Sequence, residues 1–358
     1  MEFVKETSPH VKRKDNLTWM LLDVVIALAP VILAALVFHP LDALRSILLS
    51  VASMELCEFL FVYITKKDVK AFKMQNFLSA LISALIYSLI MPSNPGWESG
   101  MGYWIIPVGA ALGIILGKLV FGGTGNNIFN PAALGMVIAR LSWGGLMANS
   151  GLVFFGSDVT AGATALTYGS TYANMANVPF LDLLIGRIPA SLGEGFNIAI
   201  LIGLVYLLLR KTIDWRTFLS YFGTFVFLMM IAGIFVSVNT AGLAWHQFVS
   251  YEVLAGGFLF GAVYMITDPV TGPTSSPARV IFGVFGAMIA VFIRLFTSSP
   301  EGVGYSILFA NMIAPVLDYP SWSSSKWKKW HIITLAVLAV IGIALMCATP
   351  AVKGGFKA

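Results

Sequence analysis

Charged residues are scarce in this chain. Asp, Glu, Lys and Arg make up 11% of its 358 residues, whereas hydrophobic residues make up 58%. Because soluble domains carry about 25% charged residues, the composition excludes an ordinary soluble domain and predicts an integral membrane protein. The formal net charge of +5 is spread over the segments between apolar runs. We interpret it as a topology signal and not as a nucleic-acid-binding surface.

Cysteine and histidine are also scarce, which limits the metal chemistry. Cys57 and Cys347 are the two cysteines, and they do not form a Cys-x-x-Cys pair. This chain alone therefore cannot ligate a four-thiolate iron–sulfur cluster or a structural zinc. Apolar packing is the expected role of both thiols, and a cluster shared with a partner through Cys57 is the alternative. The four histidines are scattered without helix-face spacing, so no metal site is predicted.

Long apolar runs fill most of the remaining sequence. A helix needs about 20 apolar residues to cross the hydrocarbon core of a bilayer. Eleven candidate spans, some of them short, cover residues 19–38, 46–64, 77–91, 103–121, 131–147, 196–209, 217–238, 249–266, 279–296, 305–317 and 330–348. The polar stretch before them shows no cleavage site after a short apolar run, so we expect no cleaved signal peptide.

The basic residues give these spans an orientation. If the N-terminus is cytoplasmic, most lysines and arginines of the connecting segments fall on the cytoplasmic side, as the positive-inside rule requires. They are Lys5, Lys12, Arg13, Lys14, Lys66, Lys67, Lys70, Lys73, Arg210, Lys211, Arg216, Lys326, Lys328 and Lys329. Only the tail, with Lys353 and Lys357, falls on the wrong side. This orientation puts residues 148–195 on the outer side.

The two halves of the chain resemble each other. Residues 85–96 parallel residues 262–273, and both stretches end an apolar helix in closely spaced prolines. Residues 127–132 similarly parallel residues 308–315, and Lys118 and Arg294 occupy similar places near the ends of glycine-rich helices. Because the matched helices are five spans apart, an odd number, the halves are predicted to have opposite orientations. A chance match between apolar sequences is the alternative.

We therefore predict an all-α polytopic membrane protein of about ten or eleven helices with an inverted five-helix repeat. Irregular backbone inside a membrane is tolerated only where it is buried in protein or lines a cavity, so the proline breaks mark candidate sites. The predicted units are a cytoplasmic segment (1–18), a first repeat (19–147), an outer-side loop (148–195), a second repeat (196–318) and an additional helix with a tail (319–358).

One polar segment carries a modification signal. It begins at Asp158 and reads Asp-Val-Thr-Ala-Gly-Ala-Thr. The order Asp-x-x-x-Gly-Ala-Thr resembles the site at which a flavin transferase joins FMN, through its phosphate, to a threonine hydroxyl. The small residues Ala161, Gly162 and Ala163 would let an enzyme and a bulky flavin approach the backbone. Thr164 is therefore the predicted attachment site, and a random loop tripeptide is the alternative.

Ionisable residues inside the apolar runs form another group of candidates. Glu55 and Glu58 lie at i and i+3 on one face of the second span, and Asp23 lies near the start of the first. A carboxylate in hydrocarbon costs about 2.5 kcal/mol or more, so these groups are candidate ligands of a translocated cation or proton. Pairing with Lys or Arg, or a position nearer the membrane surface, is the alternative. Lys118 is expected to extend to the surface, and neutralising a flavin anion is its alternative role.

Six stretches together resemble the family of RnfD and NqrB membrane subunits. They are residues 8–10, 122–132, 161–164, 214–216, 267–271 and 300–304, and they follow one another over nearly the whole chain. The N-terminal extension usual in NqrB-type chains is missing, which favours the RnfD type. Two features depart from the pattern. Ala161 stands where the flavin motif usually has Ser or Thr, and the last span is extra to a ten-helix core.

The resemblance implies a fold similar to urea channels, FMN bound covalently to Thr164, and riboflavin held within the membrane part. Residues able to offer polar contacts to that second flavin are Asn126, Asn127, Asn130, Thr267, Asp268 and Thr271. For the glycine-rich stretch 122–132, a tight loop between helices is the alternative, because its spacing is not that of a phosphate-binding P-loop.

The resemblance also implies a reaction and partners. The family's overall reaction is electron transfer between ferredoxin and NAD, coupled to Na⁺ or H⁺ translocation across a prokaryotic cytoplasmic (inner) membrane. The sequence shows no nicotinamide fingerprint and no cluster motif, so partner subunits are expected to carry the terminal redox sites, among them an outer-side FMN subunit and iron–sulfur subunits. A channel or transporter for a small polar solute is one alternative function, but it leaves the segment from Asp158 to Thr164 unexplained. An assembly scaffold is another, but it would need neither Glu55 and Glu58 nor Asp268 inside the bilayer.

Overall fold

The computed structural model describes residues 17–148, 152–153, 175, 178–239, 243–297, 302–319, 323–324 and 326–353. The first half of the chain forms a series of long apolar helices. They are α1 (Leu17–Phe38), α2 (Pro40–Lys66), α3 (Met74–Ile90), α4 (Gly102–Gly117) and α5 (Pro131–Ala148), with 3₁₀ turns at Val69–Ala71 and Leu119–Phe121. Pro40 begins α2 at a position where its missing N–H costs no helical hydrogen bond.

A connection of short elements joins the halves, and a second series of helices follows. The connection contains β1 (Leu152–Val153), α6 (Phe180–Ile185) and β2 (Pro189–Ala190), and its two strands pair antiparallel. The second half contains α7 (Asn197–Arg210), α8 (Trp215–Asn239), α9 (Trp245–Leu254), α10 (Phe258–Phe260) with the π-helical turn Gly261–Met265, α11 (Ser276–Phe296) and α12 (Val303–Leu317). A last helix, α13 (Lys329–Lys353), packs against α8 and α11.

The helices match the predicted spans. Among the residues that the structure describes, six helices are long and apolar enough to cross a membrane: α1, α2, α4, α8, α11 and α13. α9 and the helix beginning at Phe258 are apolar enough to form a further span together, and they meet at a bend of 61°, as in a broken span or a re-entrant loop. α3, α7 and α12 are shorter apolar helices. Each predicted span coincides with helix, and the prediction of an all-α polytopic membrane protein is confirmed.

Corresponding helices of the two halves pack against each other. α1 contacts α7, α5 contacts α12, and the contact of α2 with α4 has its counterpart in that of α8 with α11. Asn130 and Asn311, which the repeat aligns, meet directly: the Asn130 backbone N–H donates to Asn311 Oδ1 at 3.0 Å. Tyr87 and Tyr264, also aligned, are both buried. These contacts are those expected of two halves related by a pseudo-two-fold axis.

Glycines allow a close contact between α4 and α5. A Cβ atom on Gly113 would lie 2.5 Å from the Pro131 carbonyl oxygen and 2.8 Å from Gly135 Cα. Because both neighbours are backbone atoms, Gly113→Ala is expected to push the helices apart, and overpacking of this kind costs about 1–3 kcal/mol. Gly144→Ala is the control, since a Cβ there meets open space. The unfolding midpoints of both variants in detergent check this; a Gly113→Ala midpoint equal to that of the control would contradict it.

Candidate functional site

The π-helical turn ends inside the bundle, and an irregular segment follows it. The Ile266 N–H donates to the Gly261 carbonyl, the i to i+5 pattern of a π-helix. Asp268 then organises the backbone. Its Oδ1 accepts from the Val270 N–H at 3.0 Å, and its Oδ2 accepts from the Thr271 hydroxyl at 3.3 Å. The Asp268 side chain thus stabilises a non-helical conformation at this break. The closely spaced prolines Pro269 and Pro273 predict a break at the same place.

The loop between α4 and α5 reaches the same region from the first half. Three of its glycines adopt positive φ angles of 116°, 86° and 95°: Gly122, Gly123 and Gly125. Such angles favour glycine over any residue with a Cβ atom. Asn130 ends the loop and caps α5, because its Oδ1 accepts from the N–H groups of Ala132 and Ala133 at 3.1 and 3.2 Å. Its Nδ2 lies 3.5 Å from the Met265 carbonyl, so one asparagine joins the loop to the break.

A cleft lies between this loop and the break. It contains a cavity of about 100 Å³ that is lined by Asn127 and Asn130 of the loop and by Thr267 and Asp268 of the break. A larger cavity of about 580 Å³ adjoins it at Thr267, Asp268 and Pro269, on the side away from the loop. Small-molecule sites typically measure about 300–1,000 Å³, and only the larger cavity has such a volume. Asn127 lines the smaller cavity, and its buried Oδ1 has no hydrogen-bond partner among the described residues. An orphaned buried acceptor costs about 1–3 kcal/mol. This oxygen is therefore a group that a donor on a bound molecule would satisfy.

The cleft gathers most of the residues predicted for a second flavin. Four of the six line the smaller cavity: Asn127, Asn130, Thr267 and Asp268. Thr271 is buried behind them, and its carbonyl accepts from Asn311 Nδ2 at 3.3 Å. Asn126 is exposed outside this set. Asn311 is not among the residues predicted for the site, although its alignment with Asn130 in the repeat is a usable signal.

Glu58 lies in a buried polar cluster on α2. Its Oε2 is 3.0 Å from Lys118 Nζ, and both side chains are fully buried. Its Oε1 accepts from the Thr124 hydroxyl at 2.8 Å and from Asn76 Nδ2 at 3.3 Å. The prediction that Lys118 extends to the membrane surface is wrong, because a carboxylate inside the bundle compensates the buried ammonium. The Glu55 carboxylate oxygens are buried and have no hydrogen-bond partner among the described residues.

Asp23, on α1, is hydrogen-bonded to residues of the second half of the chain. Its Oδ1 accepts from the Tyr206 hydroxyl at 2.9 Å and from Arg210 Nε at 3.1 Å, and its Oδ2 accepts from the Thr212 hydroxyl at 3.3 Å. These partners lie on α7 or directly after it, so Asp23 joins corresponding helices of the two halves. Pairing with a basic residue, the alternative interpretation of the intramembrane acids, is confirmed for Asp23 and Glu58.

The predicted covalent flavin site lies outside the described residues. This applies to Thr164 and to the supporting residues Asp158, Ala161, Gly162 and Ala163. The end of the same connection is described, and it enters the bundle. There the N–H groups of residues 192 and 193 donate to the carbonyls of Met91 and Leu89 at the broken end of α3, at 3.1 and 2.7 Å.

Fold and cleft together define a class: a polytopic all-α membrane protein whose two helical halves meet at a cleft with buried polar groups in its walls. The chain belongs to the NQR2, RnfD, RnfE family, whose model matches residues 4–326. The matched residues contain the cleft, Glu58 and the Thr164 segment, and they end before α13.

Individual relatives support the assignment. The D subunit of the ion-translocating oxidoreductase complex of Escherichia coli O9:H4 (strain HS) is 27% identical over 357 residues, which is 89% of this chain and 97% of that protein. The B subunit of the Na(+)-translocating NADH-quinone reductase of Chromohalobacter salexigens is 32% identical over 247 residues, which is 66% of this chain and 57% of that protein. Its counterpart from Ectopseudomonas mendocina is 32% identical, with coverages of 73% and 62%. The chain thus spans less than two thirds of the length of these two reductase proteins.

Proposed function

We propose that this chain is the flavin-carrying membrane subunit of an Rnf-type ion-translocating oxidoreductase complex. The observation that carries the proposal is the family match over residues 4–326. A relative named as the D subunit of such a complex, which the alignment covers over 97% of its length, supports the same proposal. The segment from Asp158 to Thr164 supports FMN as a covalent carrier. Flavins supply one- and two-electron chemistry, while the protein supplies binding, orientation and electrostatics.

The complex, not this chain alone, is proposed to transfer electrons between ferredoxin and NAD. The other subunits, including an outer-side FMN subunit and iron–sulfur subunits, would carry the remaining redox centres. The proposed location is a prokaryotic cytoplasmic membrane, with the N-terminus in the cytoplasm and the Thr164 loop on the outer side. The basic residues at Lys66, Lys211 and Lys326 support this orientation.

The cleft supports a second, non-covalent flavin, proposed to be riboflavin. Asn127, Asn130, Thr267 and Asp268 would hold it, with amide and carboxylate groups offering hydrogen bonds to a heterocycle. The orphaned Asn127 Oδ1 favours a ligand that carries an N–H or O–H donor. The apolar walls of the same cavity, which include Val24, Ile86 and Val263, suit a planar ring.

Asn127→Leu is therefore expected to lower the non-covalent flavin content of the purified complex by about tenfold, since loss of one or two buried polar contacts costs about 1–3 kcal/mol. Asn126→Leu is the matched control, because this neighbour is exposed and does not line the cavity. Acid-extracted riboflavin, quantified per protein, is the measurement. Equal riboflavin in the two variants would rule out Asn127 as a flavin contact.

Na⁺ or H⁺ movement is proposed to involve the acids on α2. When negative charge is added inside a low-dielectric protein, the protein binds a nearby cation more tightly. Glu55 has both oxygens buried without hydrogen-bond partners among the described residues, so it is the carboxylate that such a cation would meet first. Glu58 would follow only if Lys118 moved away, because the two form an ion pair at 3.0 Å.

A further inference from the structure

A second buried charge cluster lies in the other half of the bundle. Arg294, near the end of α11, corresponds to Lys118 after α4. Its Nη1 donates to the Glu252 carbonyl and to Glu252 Oε2, the latter at 3.1 Å. The two side chains are only 2% and 6% exposed. Nε and Nη2 of Arg294 are buried and have no hydrogen-bond partner among the described residues.

Glu194 brings a second carboxylate to this cluster. It is 4% exposed, and its buried Oε2 also has no partner among the described residues. Arg140 and Arg294 both lie within electrostatic reach of it. A Cβ atom on Gly257 would lie 2.1 Å from Glu194 Oε1, so glycine at that position makes room for the carboxylate.

Glu194 reaches the cluster from the connection between the halves, not from a helix. The preceding Gly193 N–H donates to the Leu89 carbonyl at 2.7 Å, which fixes the segment against the broken end of α3. After it, Asn197 Nδ2 donates to the Leu183 and Leu254 carbonyls at 2.7 and 2.8 Å. The segment on both sides of Glu194 is thus fixed within the bundle, and it continues the predicted flavin loop.

The charges of this cluster favour an exchange in which Arg294 pairs either with Glu252 or with Glu194. With all four side chains ionised, the two acids and two arginines sum to zero. Unused hydrogen-bonding groups nevertheless remain on both Glu194 and Arg294, and leaving them buried is costly. A tethered guanidinium that can pair with either of two carboxylates can displace a small cation from one of them. In the first half, Lys118 pairs with Glu58 as Arg294 pairs with Glu252 in the second.

We propose that Glu194 is a cation-binding carboxylate of the translocation path, in the opposite half of the bundle from Glu58, and that Arg294 competes with the cation for it. The cation is a proton or a sodium ion, bound by the carboxylate while Arg294 pairs with Glu252 and released when Arg294 turns to Glu194. This inference rests on the proposed function, because the translocated cation is the one that would bind.

The test uses the intact complex in sealed vesicles, with electron transfer, ²²Na⁺ movement and proton movement measured on one preparation. Glu194→Gln is expected to keep flavin content and electron transfer while most of the cation movement per electron is lost, because an amide cannot replace a carboxylate in binding a cation. Glu98→Gln, exposed between α3 and α4, is the control. Whichever signal is lost, ²²Na⁺ or protons, identifies the cation.

Arg294 provides an independent arm. Arg294→Lys keeps a tethered positive charge and is expected to retain coupling, whereas Arg294→Gln is expected to retain the cation and slow its release. A wild-type coupling ratio in Glu194→Gln would overturn the inference. A wild-type complex that transfers electrons without moving either cation would instead contradict the proposed function.

Labelling of the wild-type complex answers the question even if Glu194→Gln does not assemble. A hydrophobic carbodiimide reacts with protonated carboxyl groups buried in membrane proteins, and bound Na⁺ protects them because it displaces the proton. Peptide mass spectrometry is expected to find the adduct on Glu194, diminished by Na⁺ if sodium is the translocated cation, and increased at lower pH without an effect of Na⁺ if it is the proton. An unmodified Glu194, or an adduct that neither Na⁺ nor pH changes, would overturn the inference.

Discussion

Thr164→Val is expected to abolish covalent flavin in this protein. Valine has nearly the shape of threonine but no hydroxyl, so the phosphoester that the Asp158–Thr164 motif implies cannot form. After denaturing electrophoresis, the wild-type band from cells containing the flavin transferase should fluoresce, and its intact mass should exceed the sequence mass by one FMN unit. The Thr164→Val band should be dark and unmodified.

Thr167→Val is the matched control, because it removes a hydroxyl from the same loop without touching the motif. It should fluoresce like the wild type. A dark wild-type band at the unmodified mass would contradict flavinylation at Thr164 and would favour the channel or transporter interpretation. A band that stays fluorescent in Thr164→Val but darkens in Thr167→Val would move the attachment site to Thr167.

The architecture follows from hydropathy to a large extent. A buried or lipid-facing helix must be apolar along its length, so every predicted span coincides with helix in the structure. The breaks follow from proline, which cannot donate a backbone hydrogen bond. The aligned pair Asn130 and Asn311 even indicates where the halves touch, because a pseudo-two-fold axis brings equivalent residues together.

Side-chain partners are much harder to predict, because they depend on which helices are neighbours. The residues near Lys118 in the sequence do not predict its ion pair with Glu58. The long flexible lysine side chain is equally suited to reaching the membrane surface. Hydropathy alone places Glu194 in the outer loop, because it precedes a span by a few residues. Its burial depends on contacts with Leu89 and Gly257, which come from other parts of the chain.

Lys118→Met is expected to destabilise the protein by about 3–5 kcal/mol, the usual cost of removing one partner from a buried ion pair. Among the described residues, Glu58 would then keep a buried negative charge supported by the Thr124 hydroxyl and the Asn76 amide alone. Methionine has a similar length and packs well in apolar surroundings, so the loss reports on charge more than on volume. Unfolding midpoints in detergent, or the fraction of folded protein in mixed micelles with increasing denaturing detergent, provide the measurement.

The double variant Lys118→Met with Glu58→Gln separates the ion pair from other effects. Glutamine can still accept from Thr124 and Asn76, and no charge remains buried, so the double variant should be more stable than Lys118→Met alone. Arg45→Met is the control, because Arg45 pairs with Asp42 on the same helix at 3.9 Å while 40% exposed. Exposed pairs contribute about 0–1 kcal/mol, so this change should be small.

The same variants separate a structural ion pair from a cation site. If Lys118 serves only to neutralise Glu58, the double variant recovers stability and cation movement together. If Glu58 must take up the translocated cation when Lys118 moves away, the double variant recovers stability but not cation movement, because an amide cannot replace a carboxylate in binding Na⁺ or H⁺. Additive losses in the two single variants would contradict the pairing itself, since residues that interact directly show non-additive energies of about 0.5–3 kcal/mol.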